Sequence, residues 1–277
     1  MKKEKITLQH NNGTVEGIYI NAGSGSPLVI IINGHNGFYN YGMFPYIQQK
    51  LFENTISSYS FNFSHGGVIG DSDFFEDLEK YEHNCMRLET EDVLCVLHNL
   101  KVFKTHSKIF LLAHSLGGVP TIFGAKNISE EKIKLDGIIL VSTVKTLHFW
   151  PPETLTEWAM AGVYYKKNNR TKQELPQGFE FLQEIINCEE DWNVKKAIQT
   201  LTVPILIIHG ANDEAIPVEH GESIFSWIKN LNKNASLKII PNATHTFNTK
   251  HPFEKSSDEL EELITTTVEW IKTTDDL

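Results

Sequence analysis

Three side chains far apart in this chain have the types and settings for acyl-transfer chemistry: a serine, a carboxylate and an imidazole. The serine is Ser115, in Lys108-Ile-Phe-Leu-Leu-Ala-His-Ser-Leu-Gly-Gly118, where an apolar run ends in a serine followed by two glycines. The residues two before and two after it, Ala113 and Gly117, are both small. A strand that turns sharply into a helix at one residue strains that residue and leaves no room for flanking side chains, so small neighbours are a steric demand. The hydroxyl then stands clear of the sheet. The helix expected from Leu116 onward aims unpaired N–H groups, and the positive end of its dipole, at negative charge developing beside Ser115. Nucleophilic attack by such a serine needs a base to take its proton and a group to orient the base.

In a parallel sheet, ligands gather outside the carboxyl ends of the strands, so the loops that follow strands are where those partners belong. The loop after the strand expected at Val203–Gly210 reads Gly210-Ala-Asn-Asp-Glu-Ala-Ile-Pro217. Asp213 is the carboxylate best placed to orient an imidazole, with Glu214 as the alternative and Asn212 as a turn former. The loop after the last expected strand holds Ala243-Thr-His-Thr-Phe247, and so His245. It is one of twelve histidines. Position singles it out, because it follows the last strand, after both the serine and the acid. His35, His65 and His114 could face the same cleft and are read as supporting residues.

The elements that must carry these side chains follow from periodicity. Lys5–His10 and Thr14–Ile20 are β-rich and joined at Asn11-Asn12-Gly13, a hairpin signal. Leu28-Val-Ile-Ile-Ile32 has no polar alternation, as expected of a strand covered on both faces. Helical spacing over Tyr41–Glu53, a strand at Ile56–Phe63, a glycine-rich loop at Ser64–Asp73 and an amphipathic helix over Arg87–Val102 come next. After the serine segment, Leu135–Ser142 reads as another buried strand. Val218–Leu231 reads as a helix, and Ser257-Asp-Glu-Leu260 opens a closing helix with an acidic first turn. Strand and helix alternate, the pattern of a parallel sheet wrapped by helices.

Between Leu147 and Leu201 that rhythm breaks into an aromatic-rich stretch with a polar run, Lys166-Lys-Asn-Asn-Arg-Thr-Lys172, in its middle. It is too long for a plain connection and too short for its own core. We read residues 147–200 as a small, mostly helical cap over the sheet's carboxyl end and residues 1–146 and 201–277 as the core. Trp150, Trp158 and Tyr164 are the cap residues expected to line a substrate pocket.

At 277 residues the chain can bury one large α/β core. A formal charge of −10 and a pI near 5.6, without a basic cluster, argue against a nucleic-acid partner. The acidic balance also disfavours a bare anionic carrier as substrate. The N-terminus starts basic but has no apolar core to act as a signal peptide, and the longest apolar runs are strand-sized, so a cytoplasmic protein with no membrane span is expected. Cys85, Cys95 and Cys188 fit neither a disulfide framework nor a zinc site and read as reduced, buried thiols.

The order Ser115, Asp213, His245 resembles that of the α/β-hydrolase superfamily. The resemblance runs from the Leu28 strand to the closing helix and is carried by Ala113-His-Ser-Leu-Gly-Gly118, His209-Gly-Ala-Asn-Asp-Glu-Ala-Ile-Pro217 and Asn242-Ala-Thr-His-Thr-Phe247. Within the superfamily the chain looks most like bacterial feruloyl- and cinnamoyl-type carboxylesterases and the hydrolases grouped with serine aminopeptidases. It departs from the usual pattern at Ala113, where glycine is common, and at Asn33-Gly34, where His-Gly is common. The resemblance implies an α/β-hydrolase fold with a Ser-His-Asp triad, and backbone N–H groups of Leu116 and His35 as oxyanion donors. A serine at the elbow argues against haloalkane and epoxide hydrolases, which use a carboxylate there. The expected activity is hydrolysis of a small or medium carboxylic ester without a cofactor. Thioesterase, amidase or aminopeptidase activity would use the same triad, and a non-catalytic ligand-binding module is the reading from a different class.

Overall fold

Alternate side chains of Leu28-Val-Ile-Ile-Ile32 enter two different apolar cores, which is what a strand covered on both faces requires. Leu28, Ile30 and Ile32 belong to one buried cluster and Val29 and Ile31 to another. The computed structural model describes residues 1–131, 133–148, 150–187, 189–231 and 234–274.

In chain order, strands β1 (Lys3–His10) and β2 (Gly13–Ile20) form the opening hairpin and are followed by β3 (Leu28–Ile32), α1 (Phe44–Glu53) and β4 (Ser57–Asn62). Helices α2 (Leu78–Glu82) and α3 (Met86–His98) lead to β5 (Ile109–His114), α4 (Gly118–Glu130) and β6 (Gly137–Val141). Then come α5 (Pro152–Ala161), β7 (Val163–Lys167), β8 (Glu174–Gly178), α6 (Phe179–Ile186) and α7 (Val194–Gln199). Strand β9 (Ile205–Gly210), α8 (Glu219–Ile228), β10 (Ala235–Ile240) and α9 (Asp258–Thr273) close the chain.

Eight strands form one sheet in the order β1-β2-β4-β3-β5-β6-β9-β10. β1 and β2 pair antiparallel with their neighbours, and every pairing from β4 to β10 is parallel. This is an α/β-hydrolase fold. One face of the sheet is covered by apolar residues of α3, α4, α7 and α8, among them Val96, Ile122, Ile198 and Ile224; the other is covered by α1 and α9 through residues such as Phe44, Leu51, Leu260 and Ile271. Ser257 caps α9 by accepting from the Leu260 N–H at 3.0 Å.

Some elements differ from the sequence expectation. α1 starts at Phe44, not Tyr41, because Pro45 suits a first helical turn. The helix expected to run to Val102 ends at His98 and is followed by a short 3-10 turn. Segment 147–200 is not helical throughout, since β7 and β8 form an antiparallel two-stranded sheet of their own. Glu184 of α6 ties this segment to the core by accepting the N–H groups of Met86 (2.5 Å) and Arg87 (3.0 Å) at the start of α3. Cys85 and Cys95 are buried free thiols, and burial pushes the Cys85 thiol up to about 12, so it stays protonated; Cys188 lies outside the described residues. No helix among the described residues is long and apolar enough to cross a membrane.

Candidate active site

β5 ends at His114, and the chain enters α4 through a tight turn of Ser115–Gly117. Ser115 takes the left-handed conformation, φ 56°, which L-residues adopt only where the surroundings enforce it. Packing supplies that enforcement. A Cβ on Gly117 would lie 2.2 Å from the carbonyl oxygen of Asn33, and a Cβ on Gly34 would lie 2.8 Å from the Cβ of Ser115. The loop after β3 therefore presses directly against the elbow, and only glycine fits at either contact. Asn33 is buried and donates through Nδ2 to the Phe61 carbonyl at 2.7 Å. That bond fastens the loop to the neighbouring strand β4.

The loop after β9 brings Asp213 to the same rim. Its carboxylate accepts the N–H groups of Ala215 (3.0 Å) and Ile216 (2.8 Å), which folds the loop around it. His209, still within β9, donates through Nε2 to the Ile216 carbonyl at 2.9 Å and so braces that loop from below. The loop after β10 is fixed by reciprocal bonds between Thr244 and Asn248 and by Phe247, which is fully buried.

Ser115, His245 and Asp213 meet. Nε2 of His245 is 3.1 Å from the Ser115 Oγ, and Nδ1 is 2.9 Å from Oδ2 and 3.1 Å from Oδ1 of Asp213. With Nδ1–H donating to the carboxylate, Nε2 is left to accept from the serine hydroxyl. The Asp213 side chain is fully shielded from solvent while that of His245 is partly open. Burial alone would raise the Asp213 carboxyl, but the hydrogen bonds and charge of His245 and the Ile216 N–H outweigh it, and the group is held below the usual carboxylate range. Glu214, the alternative acid, is exposed.

His114 lies beneath the pair. Its Nε2 donates to the His245 carbonyl at 2.9 Å, and the two rings are 4.7 Å apart. Burial, reinforced by His245, lowers its pKa to about 3, so it is a neutral ring packed against the imidazole. The His35 ring stacks on Phe181 and packs near Tyr81, which fixes the backbone of the loop after β3. His65 is instead bonded to the Ser64 hydroxyl at 2.9 Å.

A cavity of about 300 Å³ opens at Ser115 and His245. Its core side is formed by Gly34, Tyr41, Phe44 and His114, and its other side by Lys166 to Arg170, the end of β7 and the start of the turn that leads to β8. Trp150, Trp158 and Tyr164 are not among its lining residues. Trp158 is fully buried, and Trp150 and Tyr164 pack against it in the larger core, so these rings anchor segment 147–200 and do not face the serine. The hairpin residues that do line the cavity carried one sequence signal, a polar run bracketed by aromatic residues.

Comparison with known proteins gives a consistent picture. The model of the Dienelactone hydrolase family matches residues 192–274, the part that holds Asp213 and His245. Human protein ABHD12B is 24% identical over 172 residues, 59% of this chain and 43% of that protein. The chain spans less than half the length of the curated relatives it matches. Among solved structures, Est1E from Butyrivibrio proteoclasticus with bound ferulic acid has a TM-score of 0.74 at 19% identity, over 98% of this chain and 100% of that one. The α/β hydrolase GrgF from Penicillium sp. sh18 has a TM-score of 0.72 at 16% identity, over the whole of both chains.

Proposed function

We propose that this chain, which belongs to the α/β-hydrolase superfamily, is a serine hydrolase that cleaves a small or medium carboxylic ester through an acyl-enzyme intermediate. The observation that carries the reading is the continuous chain of contacts from Asp213 through His245 to the Ser115 Oγ, at 2.9 and 3.1 Å. His245 Nε2 takes the hydroxyl proton as the Ser115 oxygen bonds to the ester carbonyl carbon. Asp213 holds the imidazole in the needed tautomer and balances the charge it gains.

The carbonyl oxygen becomes an oxyanion, which accepts from the backbone N–H groups of Leu116, at the head of the elbow, and His35, in the loop pressed against Ser115. Each such donor lowers the barrier by about 3 kcal/mol. Collapse of the intermediate breaks the bond to the alcohol, which leaves with the proton from His245. Water then repeats the sequence on the acyl-enzyme, with His245 again as base, and releases the acid.

Residues 147–200 act as the cap in this reading. A recess of about 20 Å³ between Tyr41, Phe44 and His114 adjoins the cavity, room for a group about the size of one water or methyl. This favours a short acyl chain. The cations at the cavity's other side suit a positively charged substrate amine poorly, which sets the aminopeptidase alternative below an esterase.

The test is steady-state hydrolysis of p-nitrophenyl esters from acetate to octanoate. The wild type is expected to turn over the short esters best, and Ser115→Ala and His245→Ala to lower kcat by about 10⁵-fold or more. Unchanged turnover in Ser115→Ala would remove the proposed nucleophile.

A further inference from the structure

The tip of the β7–β8 hairpin plays no part in the chemistry above, yet it faces Ser115 across the cavity. Five consecutive residues, Lys166 to Arg170, line that space, and three of them are cations in a chain whose formal charge is −10. Like charges gathered at one end of a hairpin repel each other.

Nor do neighbouring carboxylates neutralise them. Lys5, Lys50, Lys80, Lys134 and Lys238 are in ion pairs; among the described residues Lys166 and Lys167 are in none. Glu174 sits opposite Lys167 in the β7–β8 register but, among the described residues, forms no ion pair with it, and Asp73 gives its carboxylate to His251 at 3.1 Å and only its backbone carbonyl to the Nη1 of Arg170. The Arg170 guanidinium is held in place, 5.0 Å from the ring centre of Phe38 and 5.7 Å from that of Tyr41, and its Nη2 is buried without an acceptor.

The turn itself is ordered. The Asn168 side chain accepts the N–H groups of Arg170 (3.0 Å) and Thr171 (3.1 Å), and the Asn168 N–H donates to the Gln173 carbonyl at 2.8 Å. The field of these cations reaches the opposite wall. Burial first, and then the Lys166 charge, lower the pKa of His35 to about 3.

We propose that this hairpin tip is a specificity determinant and that the cavity selects esters carrying an anionic group, a carboxylate in the first instance. This rests on the serine-hydrolase reading above. The planar guanidinium of Arg170 suits a carboxylate oxygen pair, and Lys166 and Lys167 attract the charge into the cavity from solution. The overall acidic balance suggests the opposite preference, so the local arrangement overrides the net charge.

The experiment compares kcat/KM for the p-nitrophenyl monoester of glutaric acid with that of its methyl-capped neutral counterpart, corrected for spontaneous hydrolysis. The wild type is expected to prefer the free acid by about tenfold or more at low salt, with the preference shrinking as salt rises. Lys166→Gln and Lys167→Gln are each expected to lower the ratio about fivefold, the size of one exposed charge contact, mainly through KM. Arg170→Lys is expected to keep more of the ratio than Arg170→Gln. A ratio unmoved by both lysine variants, or a wild-type preference for the neutral ester, would overturn the proposal.

Calorimetric titration with glutarate, and separately with inorganic phosphate, reads the hairpin tip without turnover. Binding of glutarate to wild type and its loss in the double lysine variant support the proposal, whereas no binding or equal binding contradicts it. Stronger binding of phosphate would reassign the anion. Failure to hydrolyse either ester while glutarate still binds would sink the serine-hydrolase reading and leave the anion site standing.

Discussion

Asp213 shows how much a single side chain can decide. Its two oxygens are shared between the N–H groups of Ala215 and Ile216 and the Nδ1–H of His245. Asparagine at that position would keep its one carbonyl oxygen on the backbone donors and turn its amide toward the imidazole. Nδ1 would then accept, Nε2 would carry the proton, and His245 could no longer take one from Ser115. Asp213→Asn is therefore expected to lower kcat/KM about 10³- to 10⁴-fold with a nearly unchanged Tm. A drop of less than tenfold would show that Asp213 does not set the tautomer. At this scale the sequence was informative where a side chain follows a strand end, because topology restricts which loops share a rim. Ser115, Asp213 and His245 are of that kind. Trp150, Trp158 and Tyr164 are not, since an aromatic ring signals burial without saying which side it is buried on. His209 was similarly opaque: it lies inside β9, and its role depends on a carbonyl in another loop.

Among elements, the elbow concentrates the steric demands. Gly117→Ala would put a methyl 2.2 Å from a backbone oxygen of the loop after β3, so either the turn or that loop must move. We expect a loss of about 2–3 kcal/mol, read as a lower urea midpoint, together with impaired hydrolysis because the displaced loop carries the His35 N–H. A midpoint unchanged from wild type would mean that the elbow relaxes freely. The main strands and helices were legible because their apolar periods are long and unbroken, as in β3 and α9. The β7–β8 hairpin was not. Its turn has no Asn-Gly or Asp-Gly pair, and Val163-Tyr-Tyr is as consistent with a helical cap as with a strand. The result was a cap read as mostly helical and a basic hairpin tip whose position across the cavity from the serine no local pattern could reveal.

For the molecule as a whole, buried ionisable groups shape the response to pH. Burial lowers His35 and His114 to about 3 and His220 to about 4, against 6.5 for a free histidine. Below pH 6.5 the unfolded chain binds protons that the folded chain refuses, so stability falls as pH drops toward those values. Glu89 and Glu184 act in the other direction. Burial raises them from 4.5 to about 8 and about 7, so above pH 4.5 the unfolded chain releases protons that the folded chain keeps, and stability falls as pH rises until those values are passed. The opposing slopes place the Tm maximum between pH 4.5 and 6.5. Glu89→Gln, which keeps an acceptor for Asn84 Nδ2, is expected to flatten the decline between pH 6.5 and 8. An equally steep decline in the variant would exclude Glu89 as its source.

The central claim is that Ser115 is a nucleophile made reactive by His245. Incubation with a fluorophosphonate, followed by intact-mass measurement and peptide mapping, tests it directly. The account predicts one covalent adduct on Ser115, formed slowly or not at all in His245→Ala. An unmodified protein, or an adduct on another residue with Ser115 intact, would contradict it.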